Sequence, residues 1–103
     1  MFTPSVVPAP LAPLLAGVRA LGGDTEAFSD TGAEARACWL AGLRQLADAT
    51  EVLFTHALSV FDAQGDGEVL HGAQSTQAWL RGALHLAPGD ASGRVRMARM
   101  ADV

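Results

Sequence analysis

Four amino acids are missing from this sequence: lysine, asparagine, isoleucine and tyrosine do not occur among its 103 residues. Their codons are rich in A and T, so their joint absence indicates a gene from a very GC-rich genome, with a GC-rich bacterium as the simplest source. The missing asparagine also excludes the bidentate contact that asparagine makes with adenine in the major groove of DNA.

Cysteine, charge and long apolar runs are scarce as well. Cys38 is the sole cysteine, which excludes an internal disulfide and fits a reducing cytoplasm. Only 17% of the residues are charged and the net charge is -4, which argues against non-specific coating of nucleic acid or anionic lipid. No apolar run has the length of a membrane span, and the N-terminus lacks the pattern of a signal peptide. We therefore expect a cytoplasmic protein without membrane contact.

The charge that is present is unevenly distributed. Residues 22–74 hold nine acidic residues and only two arginines. Residues 75–103 hold two acidic residues and four arginines, Arg81, Arg94, Arg96 and Arg99. The C-terminal segment is therefore locally basic.

Apolar residues at helical spacing predict an all-α fold of about four helices, with one long central helix and no substantial sheet. We expect a flexible, proline-rich lead-in over residues 1–10 and a single helical domain over residues 11–103. The first helix should run from about Ala9 to Leu21, where Gly22 and Gly23 can end it. An acidic connection follows.

The longest predicted helix extends from Gly32 to about Gln64, begins with a capping box at Thr31 and Glu34, and stops at Gly65. Its apolar stripe should cover roughly 160° of the circumference, which is more than three short helices can bury. Either two copies pair through it or a further C-terminal segment covers it. For pairing, the predicted interface is Trp39, Leu46, Leu53 and Val60. The polar residues expected on the opposite face are Arg44, Asp48, Glu51, Thr55, Ser59 and Asp62.

A turn at Gly65-Asp66-Gly67 and a loop to Gln74, partly extended at Val69-Leu70, precede a predicted helical hairpin. Ser75 should cap a helix from Thr76 to Leu84, with Trp79 inward, and Pro88 should open the last helix. This plan is similar to a helix-turn-helix. It predicts DNA contact through Arg94, Arg96 and Arg99, helped by Arg81. The alternative is a hairpin that only buries a core and carries solvated arginines.

No pattern predicts catalysis, a metal or a cofactor. Asp62, Gln64 and Asp66 are spaced like the first ligands of a calcium loop, but the twelfth position is Ala73, which cannot supply the bidentate carboxylate. The three histidines lack metal-ligand spacing. Cys38 lies at the edge of the long stripe, where a buried thiol is expected. Without a nucleophile elbow or phosphate loop, we expect neither an enzyme nor a small-molecule substrate.

One segment carries a recognisable family pattern. Its residues are Gly72-Ala73-x-Ser75-x-x-Ala78-Trp79-Leu80-Arg81, then Leu86-x-Pro88-Gly89-Asp90-Ala91 and Arg94-Val95-Arg96-x-Ala98-Arg99. The pattern resembles the actinobacterial domain of unknown function numbered two hundred and twenty-two, the 13E12 repeat family, usually found ahead of an HNH endonuclease domain. The resemblance extends over about Ala33 to Val103 and implies a non-catalytic accessory domain from a protein class associated with DNA.

The chain departs from that family at two points. Ala87 stands where members often have Ser or Thr, which removes a side-chain N-cap worth about 1 kcal/mol. Members also continue beyond the position of Val103 into the nuclease domain. Because the sequence has no asparagine, the His-Asn-His chemistry is not carried over to any residue here. Two hypotheses follow: a DNA-binding or DNA-positioning module, and an oligomerisation or partner-docking module without nucleic-acid contact.

Overall fold

A computed structural model describes residues 7–22, 29 and 31–101, and no strand occurs within them. The helices of these described residues are α1 (Ala12–Gly22), α2 (Ala33–Ala63), α3 (Asp66–His71), α4 (Thr76–Ala83) and α5 (Pro88–Ala101). The predicted all-α fold with a long central helix is therefore confirmed. Residues 1–6 of the predicted lead-in and most of the acidic connection lie outside the described residues. Internal contacts divide the chain into two units, one within Ser5–Ala47 and the other within Asp48–Val103.

The first unit contains α1 and the beginning of α2. A turn precedes α1, in which the amides of Leu11 and Ala12 donate to the carbonyl oxygen of Pro8 at 2.9 and 3.2 Å. Helix α2 begins directly after Thr31 and Gly32, and a guanidinium nitrogen of Arg36 donates to the Thr31 carbonyl oxygen. No described residue of this unit is buried. The capping box predicted at Thr31 and Glu34 stays a prediction.

The second unit contains the hydrophobic core. Its buried residues are Leu58 on α2, Trp79 and Leu80 on α4, and Ala91, Val95 and Ala98 on α5. The three α5 residues follow one another at intervals of four and three, so they share one helix face. Because two of them are alanines, the backbone of α5 can lie close to its neighbours. Phe54, Phe61 and Leu86 pack around this core.

The segment after α2 is helical, so the predicted loop with an extended Val69-Leu70 is wrong. Gly65 takes a positive φ of 67° and reverses the chain, and α3 then forms from Asp66 to His71. Gly72, with a φ of 63°, ends α3, and its amide donates to the carbonyl oxygen of Glu68 at 2.8 Å. Packing decides the outcome, because the buried Gly67 lets the Trp79 side chain lie directly against the α3 backbone.

The packed face of α2 also differs from the prediction. Leu58 is buried and Phe54 and Phe61 flank it, yet Glu51 and Asp62, expected on the outer face, reach arginines of α5. The physical reason is that α5 presents small residues to the core and arginines beside them, so the carboxylates nearest to it become ion-pair partners. Cys38, expected to be buried, is exposed.

Candidate interaction surfaces

The helical hairpin predicted from the sequence is present as α4 and α5. The Ser75 hydroxyl accepts a hydrogen bond from the Ala78 amide at 3.0 Å, which confirms the predicted N-cap. Residues 84–87 connect the two helices. The amides of Leu84 and Leu86 both donate to the Leu80 carbonyl oxygen, and His85 takes a left-handed φ of 59° between them. This local bonding stops α4 and turns the chain into α5.

Trp79 joins three helices of the second unit. Its side chain is only 9% exposed, and its ring centroid lies 4.4 Å from that of Phe61 on α2. Its indole Nε1 donates to Nδ1 of His71 on α3 at 2.9 Å, so the buried polar group has a partner. The sequence predicts a buried Trp79, and the structure confirms it.

Arg94 of α5 is engaged by groups of its own chain. Its guanidinium forms a two-pronged contact with Glu51 at 2.7 and 3.3 Å, while its Nε donates to Asp90 at 2.9 Å. The guanidinium carbon lies 5.1 Å from the centre of the Phe54 ring. The hydrogen bond from Arg94 lowers the pKa of Glu51, and the bond to Glu51 raises the pKa of Arg94. Arg94 therefore links α5 to α2.

Arg99 forms a second link between α5 and α2. Its Nε and Nη2 donate to the Asp62 carboxylate at 2.9 and 3.2 Å. The hydroxyl of the buried Thr76 donates to the same carboxylate at 2.5 Å. The hydrogen bond from Arg99 lowers the pKa of Asp62, with a smaller contribution from Thr76, and the pKa of Arg99 is raised in return.

Arg81 and Arg96, in contrast, make no ion pair within the described part of the chain, and both are exposed. Arg96 lines an open groove of about 380 Å³ between α4 and α5, together with Gln77, Ser92 and the side of Arg99. The predicted set of four arginines is thus divided. Arg94 and Arg99 are paired with carboxylates of α2, whereas Arg81 and Arg96 are exposed to solvent.

A regular apolar stripe lies along α2. Trp39, Leu46, Leu53 and Val60 follow one another at intervals of seven residues, and their exposed fractions are 37%, 47%, 56% and 61%. Leu43, Thr50 and Ala57 fall between them, which gives alternating steps of four and three along the helix. We call these seven residues the α2 stripe. A period of 3.5 residues is the one that two supercoiled helices share.

The sides of the α2 stripe contain no Asp, Glu, Lys or Arg. One side is lined by Leu40, Ala47, Phe54 and Phe61, and the other by Gly42, Ala49, His56 and Ala63. Phe54 and Phe61 pack against the core, whereas Leu40 is 71% exposed. The apolar character of this surface therefore extends beyond the stripe itself.

Sequence reasoning missed three residues that organise the second unit: Glu51, Asp62 and His71. Glu51 and Asp62 lie two turns and one turn from Leu58 along α2, and this spacing becomes a signal only once Leu58 is known to be the buried leucine. No signal in the sequence identifies His71, since its contact with Trp79 depends on the unexpected helix α3.

Among the described residues, no cluster of three or more His, Cys, Asp or Glu side chains could hold a metal ion. None of the helices in this part of the chain combines the length and the apolar character needed to cross a membrane. No protein-family model matches the chain, and comparisons with curated proteins and with solved structures also give no match.

Proposed function

We propose that this chain is a non-catalytic homo-oligomerisation module that pairs through α2. The observation that carries the proposal is the α2 stripe, in which Trp39, Leu46, Leu53 and Val60 repeat at seven-residue intervals and remain exposed. Burial of apolar area contributes on the order of 25 cal/mol of favourable free energy per Å². Burial of a stripe along a helix of 31 residues would therefore favour association. Over residues 39–63 no carboxylate or guanidinium lies on the stripe or its sides, so a second helix can approach this part of α2 without desolvating such an ion.

The ion pairs of α5 also favour protein association over nucleic-acid binding. For Arg94 or Arg99 to bind a phosphate, each would have to exchange a carboxylate at 2.7–2.9 Å for it. Loss of the Asp62 pair would in addition leave a largely buried carboxylate without its cation. Such an exchange costs free energy, whereas burial of the α2 stripe separates neither of these two ion pairs.

Sedimentation equilibrium tests the proposal. The unaltered chain should form a dimer at micromolar concentrations. The double substitution Leu46→Glu with Leu53→Glu places two charges in the stripe and should return the chain to a monomer. The matched control, Gln45→Glu with Val52→Glu, adds the same charge to exposed positions of the same helix outside the stripe and should still associate.

Circular dichroism on each variant establishes that the helices are intact. A parent chain that stays monomeric at tens of micromolar contradicts the proposal. So does equal weakening of association by the stripe variant and by its control.

A second candidate function is weak contact with DNA phosphates through Arg81 and Arg96. It rests on the exposure of these two guanidinium groups and on the absence of an ion pair for either within the described residues. The resemblance of residues 72–99 to the 13E12 repeat family supports it, because that family is associated with DNA. On this view the chain positions DNA for a neighbouring domain and does not read bases.

Salt-dependent binding to a random-sequence duplex tests this second candidate. Each phosphate contact contributes a slope of roughly one to log K against log salt, so Arg81→Ala with Arg96→Ala should reduce the slope by about two. Arg19→Ala, on α1, is the control for loss of one positive charge. Absence of binding at low salt, or an unchanged slope in the double variant, leaves oligomerisation as the sole function proposed.

A further inference from the structure

We infer that the two α2 helices of the proposed pair run antiparallel, in a register that places Leu43 of one chain level with Leu53 of the other. This inference rests on the proposed function and specifies its partner surface. A reversed copy of the α2 stripe can be aligned with the stripe at steps of seven residues, and this register is the one that places Trp39 opposite Ala57. The layers are then Arg36 with Val60, Trp39 with Ala57, Leu43 with Leu53, and Leu46 with Thr50, each occurring twice.

Side-chain size favours this arrangement over a parallel pair. In the antiparallel register the largest stripe residue, Trp39, meets the smallest, Ala57. A parallel pair would instead place Trp39 against Trp39 and Ala57 against Ala57. Because interiors pack at nearly uniform density, one overfilled layer and one underfilled layer would both cost free energy.

Charge favours the same orientation. Arg36 continues the stripe by three residues at its N-terminal end. Although its guanidinium donates to the Thr31 carbonyl oxygen of its own chain, a parallel pair would bring two of these cations to the same end of the seam. In the antiparallel pair each Arg36 lies beside Val60 of the second copy, close to the C-terminal end of that helix. A helix C-terminus carries a partial negative charge and attracts cations, and the two opposed helix dipoles also attract each other.

The exposed Leu40 gains a partner in this arrangement. A two-fold axis perpendicular to both helices keeps the same side of each α2 on the same side of the pair. Leu40 of one chain therefore lies beside Phe54 of the second copy, whose ring already packs against the hydrophobic core. The contact extends from the seam to the core of the partner and accounts for a leucine that is 71% exposed in a single chain.

Distances between spin labels on the two chains test the orientation. Cys38 is the sole cysteine and is exposed, so a label can be attached to the unaltered chain. Gln45, Val52 and Ser59 follow it at seven-residue steps along the same face of α2, outside the stripe. Single cysteines at these positions, each combined with Cys38→Ser, complete a series of four labelled proteins.

The antiparallel register predicts a distance profile with a minimum near the middle of α2. At a rise of 1.5 Å per residue, the axial separations between paired labels should be about 30, 9, 12 and 33 Å at positions 38, 45, 52 and 59. A parallel pair predicts the same short separation at all four positions.

The outcomes separate this inference from the function on which it rests. A flat profile in a chain that associates overturns the antiparallel arrangement and leaves the oligomerisation proposal standing. A minimum at another position overturns the register. A monomeric parent chain in sedimentation overturns the proposed function itself, and with it the pair.

Discussion

At the scale of single residues, the buried Gly67 lies directly against the side chain of Trp79. A Cβ at position 67 would lie 3.0 Å from the Cβ and 3.2 Å from the Cγ of Trp79. Neither atom is the end of a flexible chain, so the indole or the α3 backbone would have to shift. A side chain at position 67 therefore fits only if the indole or the backbone moves by a few tenths of an ångström.

We predict that Gly67→Ala destabilises the fold, although alanine is the better helix former. Overpacking typically costs roughly 1–3 kcal/mol, while the gain in helix propensity is about 1 kcal/mol or less. Gly82→Ala is the matched control, because a Cβ at that position of α4 meets no atom within 4 Å. It should raise the free energy of unfolding by roughly 0.5–1 kcal/mol. Urea titrations of the three proteins give the comparison, and equal stability of the two variants would contradict this account.

At the scale of elements, two ion pairs fasten α5 to α2. Glu51 with Arg94 and Asp62 with Arg99 are 11 residues apart on α2, about three turns, so they hold the helix at two separate points. The Glu51 pair is exposed and contributes little. Asp62 is mostly covered and also accepts from the buried Thr76, so it is the more important of the two carboxylates.

The lowered pKa of Asp62 makes stability depend on pH in a defined direction. In the unfolded chain Asp62 takes up a proton as the pH falls through its ordinary pKa of 3.8, whereas in the folded chain it stays ionised to lower pH. The unfolded state then binds more protons, so the free energy of unfolding falls as the solution is acidified. The stabilisation is fully present above the ordinary pKa and is lost as the pH passes below the folded one.

We predict that Asp62→Asn and Arg99→Gln each flatten this acid-side decline in the free energy of unfolding. The first substitution removes the titrating group, and the second removes the main cause of its lowered pKa. Arg96→Gln is the control, since it makes the same change on the same helix at a residue without an ion pair among the described residues. Denaturant unfolding at a series of acidic pH values measures the slope. A slope reduced equally by Arg96→Gln would show that net charge, and not the Asp62 pair, is responsible.

The long helix was the element easiest to predict, because it depends on local signals. No proline interrupts residues 33–63, and Gly65 supplies the positive φ at which the chain leaves the helix. The packed face of the same helix was harder. Leucine and valine are apolar whether a neighbour covers them or not, so the pattern could not distinguish the buried Leu58 from the exposed Leu53.

At the scale of the whole molecule, the residues that sequence reasoning missed depend on contacts distant along the chain. Arg94 and Glu51 are separated by 43 positions, and Arg99 and Asp62 by 37. When the α5 sequence is considered without these distant carboxylates, its arginines look unpaired and predict a basic face. Helix α3 was missed for a related reason, since Trp79, from a later helix, stabilises a glycine-containing turn that has little helix propensity of its own.

The structure treats the arginines predicted for DNA binding differently from the stripe residues predicted for pairing. Arg94 and Arg99 have structural roles that the sequence did not reveal, while Arg81 and Arg96 remain open to solvent. The four stripe residues named from the sequence are all exposed in the single chain. Pairing itself stays a prediction.

The distribution of the two tryptophans gives the chain a pair of separate optical reporters. With no tyrosine in the sequence, near-ultraviolet emission comes from Trp39 and Trp79 alone. Trp79 is covered and bonded to an imidazole, whereas Trp39 is partly in water on the α2 stripe. Melting of the hairpin exposes Trp79 to water and should therefore shift its emission to longer wavelength. Assembly of two chains should cover Trp39 and shift its emission to shorter wavelength. The emission spectrum therefore distinguishes unfolding of the core from dissociation of the pair.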